Sequence, residues 1–377
     1  MSDGTGLRGE FLLDPDVTFL NHGSFGACPR AVFERYQEWQ LELEREPVLF
    51  LARRMEGLLA EARAALGAYV GAEPDDLVFV PNATSGVNIA AWPLGLQPGD
   101  EVLSTDLEYG ALDLTWEHVC GDFGARYVRT PVPLPIGEES EVVETIWAGV
   151  NDRTRVLYLS HHTSGTALTL PVAELCRRAR ERGIVTVIDG AHVPGQLPLN
   201  LRELDPDFYA GNCHKWLCAP KGAGFLYVRR ELQRSVHPLV FSWGYEGDDP
   251  TFLALHEKQG TRDPSAYLTV PYAIEWQEAR DWHLVRERCH ELARRAAGEF
   301  GLTPVVPDTR HGLYGQMVAL QLPGDAPMDL QERLFDEHRI EIPVMDRQSP
   351  RLIRASFQGY NDEADLERLR AALSVLL

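Results

Sequence analysis

The sequence predicts an α/β protein in which a mainly parallel sheet carries helices on both faces and a smaller α+β domain follows. Three observations lead there. Between about residue 77 and residue 230, short apolar runs alternate with helical patterns, the order that builds βαβ units. Two of those runs, over 155–160 (RVLYLS) and 185–189 (VTVID), are apolar almost throughout, as parallel strands buried on both faces are. From about residue 268 the pattern turns to long amphipathic helices. A chain of 377 residues exceeds one ordinary core, so a large domain with a smaller companion is expected.

Taken in order, 77–80 (LVFV) reads as a strand, 82–86 (NATSG) as a turn and cap, and 87–94 as a helix. Pro98-Gly99-Asp100 turns the chain into a strand over 101–105, a helix over 109–123 and a strand over 126–132. The two apolar strands flank a helix over 171–182, and 208–211 and 224–229 add two more strands. In the second domain a helix is expected over 271–300, a strand over 317–322, a helix over 328–339 and a strand over 351–357. The strongly helical stretch 31–68 would bridge domains or meet a partner subunit. The division expected is 1–30 as an N-terminal segment serving the active-site mouth and the small domain, 31–265 as the large cofactor-binding domain and 266–377 as the small domain.

Composition narrows the function. A formal charge of −20 repels phosphate backbones and anionic lipid. The cluster Arg177, Arg178, Arg180 and Arg182 follows one wall of a helix and reads as a solvated face, so neither nucleic acid nor a membrane is expected as a partner. The opening MSDGTGLRGE has no apolar core, and no run of about 18 apolar residues occurs, so a cytoplasmic protein is expected. Six cysteines without paired spacing predict reduced thiols.

Ligands of open parallel sheets gather at the carboxyl ends of the strands. The residues that follow the strands here are Asn82 to Gly86, Glu108-Tyr109-Gly110, His161 to Ser164, Asp189 to His192 and Gly211 to Lys215. Ala83 and Thr84 open a helix, whose free N–H groups suit either a phosphate or a simple cap. Asp189 ends an apolar strand, where a carboxylate needs a cationic partner or caps a turn. Lys215 lies between His214 and Trp216 in a segment poor in charge; burial would lower its pKa and make the amine a nucleophile toward an aldehyde. Phosphate cradle, aromatic, carboxylate and lysine thus come in order, each at the end of a successive strand.

These residues also carry a resemblance. DGAHVPG (189–195) and NCHKWLCAPKGAGFLYV (212–228) look like class V of the aminotransferase superfamily, fold type I enzymes that depend on pyridoxal 5′-phosphate (PLP). FLNHGSFGACP (19–29), NATSGVN (82–88) and GTRDPSAY (260–267) resemble the isopenicillin N epimerase-like branch, with cysteine desulfurases as cousins. The resemblance implies a mainly parallel seven-stranded sheet, Lys215 carrying PLP as a Schiff base, Asp189 on the pyridine nitrogen and His192 at the ring hydroxyl. It further implies Ala83, Thr84 and His214 at the phosphate, Ser164 at the ring edge, Tyr109 stacked on the ring, and Thr261 reaching the phosphate of a neighbouring subunit in a homodimer with shared sites. Arg354, within LIRASFQGYND (352–362), would fork the α-carboxylate of an amino acid. Asn21, His22 and Ser24 look like the loop over the mouth, contacting substrate. Two departures stand out: residues 341–354 hold none of the reactive cysteine that desulfurases need, and Gly165 stands where a proline or larger residue is expected.

The reaction expected is removal of the Cα proton of an amino acid and its return on the other face, an epimerisation, with Tyr109, His161 or His162 as the second acid. The alternatives are a C–S lyase (cysteine desulfurase-like or a sulfoxide lyase) and then an aminotransferase. More remote are a metal-dependent hydrolase built on His161, His162, Asp189, His192 and His214, and a scaffold that has lost catalysis. The side-chain pocket is expected from loops near 21–24, 241–249 and 346–350.

Overall fold

A computed structural model describes residues 7–307, 311–346 and 350–377; residues 347–349 of the third pocket loop lie outside the described residues. Seven strands form the main sheet: β1 (Leu77–Val80), β2 (Glu101–Thr105), β3 (Arg126–Thr130), β4 (Thr154–Ser160), β5 (Val185–Gly190), β6 (Phe208–Asn212) and β7 (Gly224–Val228). Their order is β1-β7-β6-β5-β4-β2-β3. Only β7 runs against its neighbours, pairing antiparallel with β1 and β6; the other pairs are parallel. The fold is the expected mainly parallel seven-stranded one.

Both faces are buried. Val78, Val80, Tyr158, Val187 and Phe208 pack under helices α3 (Ala83–Ala91) and α4 (Gly110–Phe123). Leu77, Phe79, Leu157, Ile188 and Tyr209 face the opposite core with Leu66, Val70, Val143 and Leu175. Alternate residues of one strand thus serve two cores.

Several expected helices differ in extent, each for a local reason. The helix expected over 87–94 starts four residues earlier, because the Asn82 side chain accepts from the N–H of Ser85 and caps it. The stretch 31–68 divides into α1 (Arg30–Arg45) and α2 (Met55–Val70) around Pro47, whose ring carries no N–H to continue the ladder. The long helix 271–300 breaks into α7 (Val270–Glu278) and α8 (Trp282–Glu299), with Asp281 left-handed at φ 47° between them. Between α4 and α7 in sequence lie α5 (Glu139–Trp147), which the pattern gave no sign of, and α6 (Val172–Glu181).

A second sheet is antiparallel and four-stranded, with Leu352–Ser356 between Val344–Met345 and Met317–Gln321, and Thr303–Pro304 at the edge. The N-terminal segment joins it: Thr18–Phe19 pairs parallel with Ile340–Glu341, and Asn21 bridges Ser356. The same segment touches the main sheet's lysine loop. A Cβ on Gly26, at φ +71°, would sit 2.2 Å from the His214 carbonyl oxygen and 2.9 Å from the Lys215 Cα. Among the described residues no helix is long and apolar enough to cross a membrane.

Gly26→Ala therefore meets both a left-handed backbone and a backbone clash, whereas Gly95→Ala meets only the first, since φ is +64° there and nothing lies within 4 Å. Gly26→Ala should cost roughly 2–4 kcal/mol and Gly95→Ala about 1 kcal/mol, read as midpoints of denaturant unfolding. Equal costs at the two positions would show that the close approach at Gly26 is not a constraint.

Candidate active site

The carboxyl ends of β1, β2, β4, β5 and β6 lie along one edge of the sheet, and the second sheet brings Arg354 to the same place. Lys215 follows β6. Its Nζ lies 3.1 Å from His192 Nε2. Burial, reinforced by the Arg354 charge and opposed by Asp189, brings the amine down to about 7. His192 is 2% exposed, and burial holds it well below the ordinary imidazole range. Its Nδ1 accepts from the indole N–H of Trp216 at 3.3 Å.

Asp189 is 4% exposed, and Oδ1 accepts from the Ala191 N–H at 2.9 Å. Burial pushes the carboxyl up, against that N–H and the Lys215 charge. Among the described residues no cation forms an ion pair with it. Glu108 lies nearby at the end of β2, accepting from Thr105 Oγ1 at 2.7 Å and the Ser160 N–H at 2.8 Å. Burial raises it to about 7. Its bond to Ser160 ties the Tyr109 segment to the end of β4.

At the head of α3 the expected phosphate cradle is only partly open. The Ala83 N–H is spent on Asn212 Oδ1 at 2.8 Å, and the Ser85 N–H on Asn82 Oδ1 at 2.9 Å. Of the two residues expected at the phosphate, Thr84 keeps its N–H and hydroxyl open among the described residues, whereas the Ala83 N–H is engaged by Asn212. His214 donates Nδ1–H to the Ala223 carbonyl at 2.9 Å, and burial lowers it to about 4. Its free nitrogen is thus Nε2, which meets a phosphate oxygen as a donor only after taking up a proton.

Arg354 is 1% exposed and lowered to about 10 by burial. Among the described residues its side-chain partners are all neutral: the Ser164 carbonyl oxygen at 2.6 Å and its Oγ at 3.4 Å, Ser24 Oγ at 3.0 Å and Asn21 Oδ1 at 3.2 Å. Its Nε has no partner. Asn21 and Ser164 therefore position the guanidinium. His22 is placed otherwise than expected: it is fully buried, its Nε2 3.0 Å from the Lys215 carbonyl oxygen and its Nδ1 3.0 Å from the Tyr360 hydroxyl. Both ring nitrogens are committed to the protein, so His22 supports the lysine loop from behind and has no nitrogen left for a substrate.

Tyr109 caps α4 and is 46% exposed, with no ring partner among the described residues. Thr261 is not brought to the others. It lines a separate cleft of about 920 Å³ with Arg53, Arg63, Trp243, Glu257 and Arg262. Of the histidines once considered for a metal, His161 is bonded to the Tyr209 hydroxyl at 3.1 Å and His162 Nδ1 to Thr169 Oγ1 at 2.9 Å. With His192 held by Trp216 and His214 by Ala223, the rings are aimed at protein partners. Among the described residues no group of three or more His, Cys, Asp or Glu is set to hold a metal.

Sequence reasoning missed Asn212, Trp216 as a donor, and Tyr360. The NCHKW run contained the first two, but nothing in the run says what they touch. PLP fits what is present: an amine near neutrality, a buried carboxylate with no cation, an open helix start at Thr84, and a buried guanidinium short of an anion.

The family model for aminotransferase class-V matches residues 27–369. The chain is 41% identical to the isopenicillin N epimerase of Amycolatopsis lactamdurans (98% of this chain, 97% of that protein) and 38% identical to that of Streptomyces clavuligerus (100% and 99%). It is 28% identical to a probable chloroplastic L-cysteine desulfhydrase of Arabidopsis thaliana (97% and 84%). Among solved structures, a C-DES variant with glycine covalently linked to its PLP cofactor superposes with a TM-score of 0.85 at 24% identity, covering 98% of this chain and 99% of that one. The match over most of the chain and the ordered residues at the strand ends have one reading: the chain belongs to the aminotransferase class-V family.

Proposed function

We propose that this protein is a PLP-dependent enzyme that inverts the α-carbon of an amino acid, an isopenicillin N epimerase-like reaction. The observation that carries the reading is Arg354, a buried cation with only neutral partners, in one site with an amine brought to about 7. When bound, PLP supplies an electron sink that acidifies the α-proton of an amino acid.

The chain's own residues do the rest. Arg354 takes the α-carboxylate in a two-point fork and is already aimed by Asn21, Ser24 and Ser164. Asp189 would pair with the pyridine nitrogen and favour its protonated form, and Thr84 would hold the phosphate, with His214 beside it once protonated. Lys215, brought to about 7 and so substantially neutral near physiological pH, would take the α-proton. For its return on the other face the candidates are the exposed Tyr109, His161 and His162; each histidine has its Nδ1 bonded, to Tyr209 and Thr169, and has Nε2 left to carry the proton.

A desulfurase-like persulfide step fits less well. Five of six cysteines are buried and Cys28 is half-buried. Burial pushes the Cys28 thiol up to about 12, the opposite of what a sulfur acceptor needs.

A homodimer is supported by the exposed apolar run Leu239, Val240, Phe241 and Trp243, whose last member lines the cleft that holds Thr261. A second copy covering that cleft would put Thr261 at its own site. The unpaired thiols fit a reducing cytoplasm.

The reaction is tested by incubating the protein and PLP with a panel of amino acids in D₂O. Exchange of the α-proton with inversion and no released keto acid or sulfide is expected; sulfide release would replace epimerase by C–S lyase, and keto acid by aminotransferase. Arg354→Gln should raise KM on the order of a hundredfold, roughly 3 kcal/mol, with a smaller change for substrates whose carboxylate is amidated. For the cofactor-free protein, only the neutral amine captures an aldehyde. Capture of PLP by borohydride-stable linkage should therefore rise with pH, pass half-maximum at about 7 and level off above it. Lys215→Ala should show no linkage at any pH; full linkage in that variant would overturn the lysine's assignment.

A further inference from the structure

Trp216 follows Lys215 in the chain, is fully buried, and points its ring away from solvent toward His22, with ring centroids 4.8 Å apart. Its main-chain carbonyl is held by the Gln277 side chain at 2.7 Å. Its indole N–H ends 3.3 Å from His192 Nδ1, while Nε2 of the same ring ends 3.1 Å from the Lys215 amine. An indole nitrogen donates and has no lone pair to offer. Nδ1 must therefore be the bare nitrogen of His192. The ring is neutral, because burial and the surrounding Lys215, Arg354, His162 and His22 disfavour its charged form. A neutral imidazole carries one proton, and with Nδ1 bare that proton is on Nε2.

We propose that Trp216 is a positioning residue: by donating to Nδ1 it locks His192 as the Nε2–H tautomer, which presents a hydrogen-bond donor to the Lys215 amine. The amine accepts through its lone pair, so this arrangement selects the neutral amine; an ammonium facing Nε2–H would set donor against donor. The other tautomer, with a lone pair on Nε2, would accept from an ammonium and favour the charged lysine. Trp216 thus acts on Lys215 through His192 and touches no reacting atom itself. The charged and titratable groups that face the pair are Asp189 beside Lys215, Arg354 from the second sheet, His162 after β4 and His22 from the N-terminal segment. None of them bonds to His192 Nδ1 among the described residues, which leaves the indole as the group that sets the tautomer.

The value of the lock rests on Lys215 being the lysine that takes the cofactor, but the tautomer does not, so the two fail separately. Uniformly ¹⁵N-histidine-labelled, cofactor-free protein is examined by two-bond ¹H–¹⁵N correlation, with the His192 signal assigned from its loss in His192→Gln. The expected pattern has a protonated Nε2 and a bare Nδ1. A protonated Nδ1 in the unmutated protein overturns the proposal without recourse to any Trp216 variant. In Trp216→Phe a mixture of tautomers is expected, and the half-maximum for PLP capture should move up by about one pH unit. An unmixed Nε2–H pattern with an unmoved half-maximum in a folded Trp216→Phe protein also overturns it. If the tautomer shifts and capture does not depend on Lys215, the lock stands and the lysine's assignment falls.

Discussion

The structure turns on the burial of three ionisable side chains that are not paired with one another. Asp189, Lys215 and Arg354 meet at the ends of strands from two sheets, and among the described residues none forms an ion pair. An unpaired charge in a low-dielectric site is costly. Each is held by neutral hydrogen-bonding groups: Ala191 for Asp189, His192 for Lys215, and Asn21, Ser24 and Ser164 for Arg354. Such a site is unsatisfied by design of its partners, and what satisfies it is a ligand carrying both a cation and an anion. On the proposed reading, a pyridinium would meet Asp189 and a substrate carboxylate would meet Arg354.

That arrangement needs the N-terminal segment to be in place. Asn21 and Ser24 hold Arg354, His22 holds the Lys215 backbone, and Gly26 lets the chain pass against His214. The same segment is itself a strand partner of Ile340–Glu341 and a bridge to Ser356. Binding at Arg354 therefore bears on the contact between the two sheets, since the residues that aim the guanidinium belong to the chain that joins them. A helix start and a strand end could each be replaced locally; this crossing could not, because its atoms come from about residues 20, 164, 215 and 354.

The extent to which the sequence foretold this follows from the range of the interactions. The strands of the main sheet and the polar residues that follow them were legible, since apolar runs and the residues after them are local signals; the order of the strands is set by long-range pairing and was not read. Lys215, Asp189 and Arg354 could be singled out for the same reason, together with the family resemblance, and the structure buries all three close to one another. What was not legible is where shared atoms go. The Ala83 amide reads as a phosphate donor until Asn212, 129 residues away, is seen to take it. His22 reads as a mouth residue until Tyr360 and the Lys215 carbonyl claim both nitrogens. Thr261 reads as a phosphate ligand by resemblance yet lines another cleft, because nothing local in GTRDPSAY says which cleft its side chain faces.

Neutral hydrogen bonds thus do in this site what counter-charges do elsewhere, and the difference bears on catalysis. A carboxylate bonded to the Lys215 amine would have raised its pKa beyond what the more distant Asp189 does and kept it an ammonium at neutral pH, unable to accept a proton. Replacing that carboxylate by the neutral His192 leaves burial and the Arg354 charge to dominate, and both push the amine down. The cost is that a neutral imidazole has two tautomers where a carboxylate has one arrangement of acceptors. An uncontrolled ring would present donor or acceptor to the lysine at random. A neighbour able only to donate, placed on the far nitrogen, removes the ambiguity, and among hydrogen-bonding side chains without a charge the indole of tryptophan is the one that can donate and never accept.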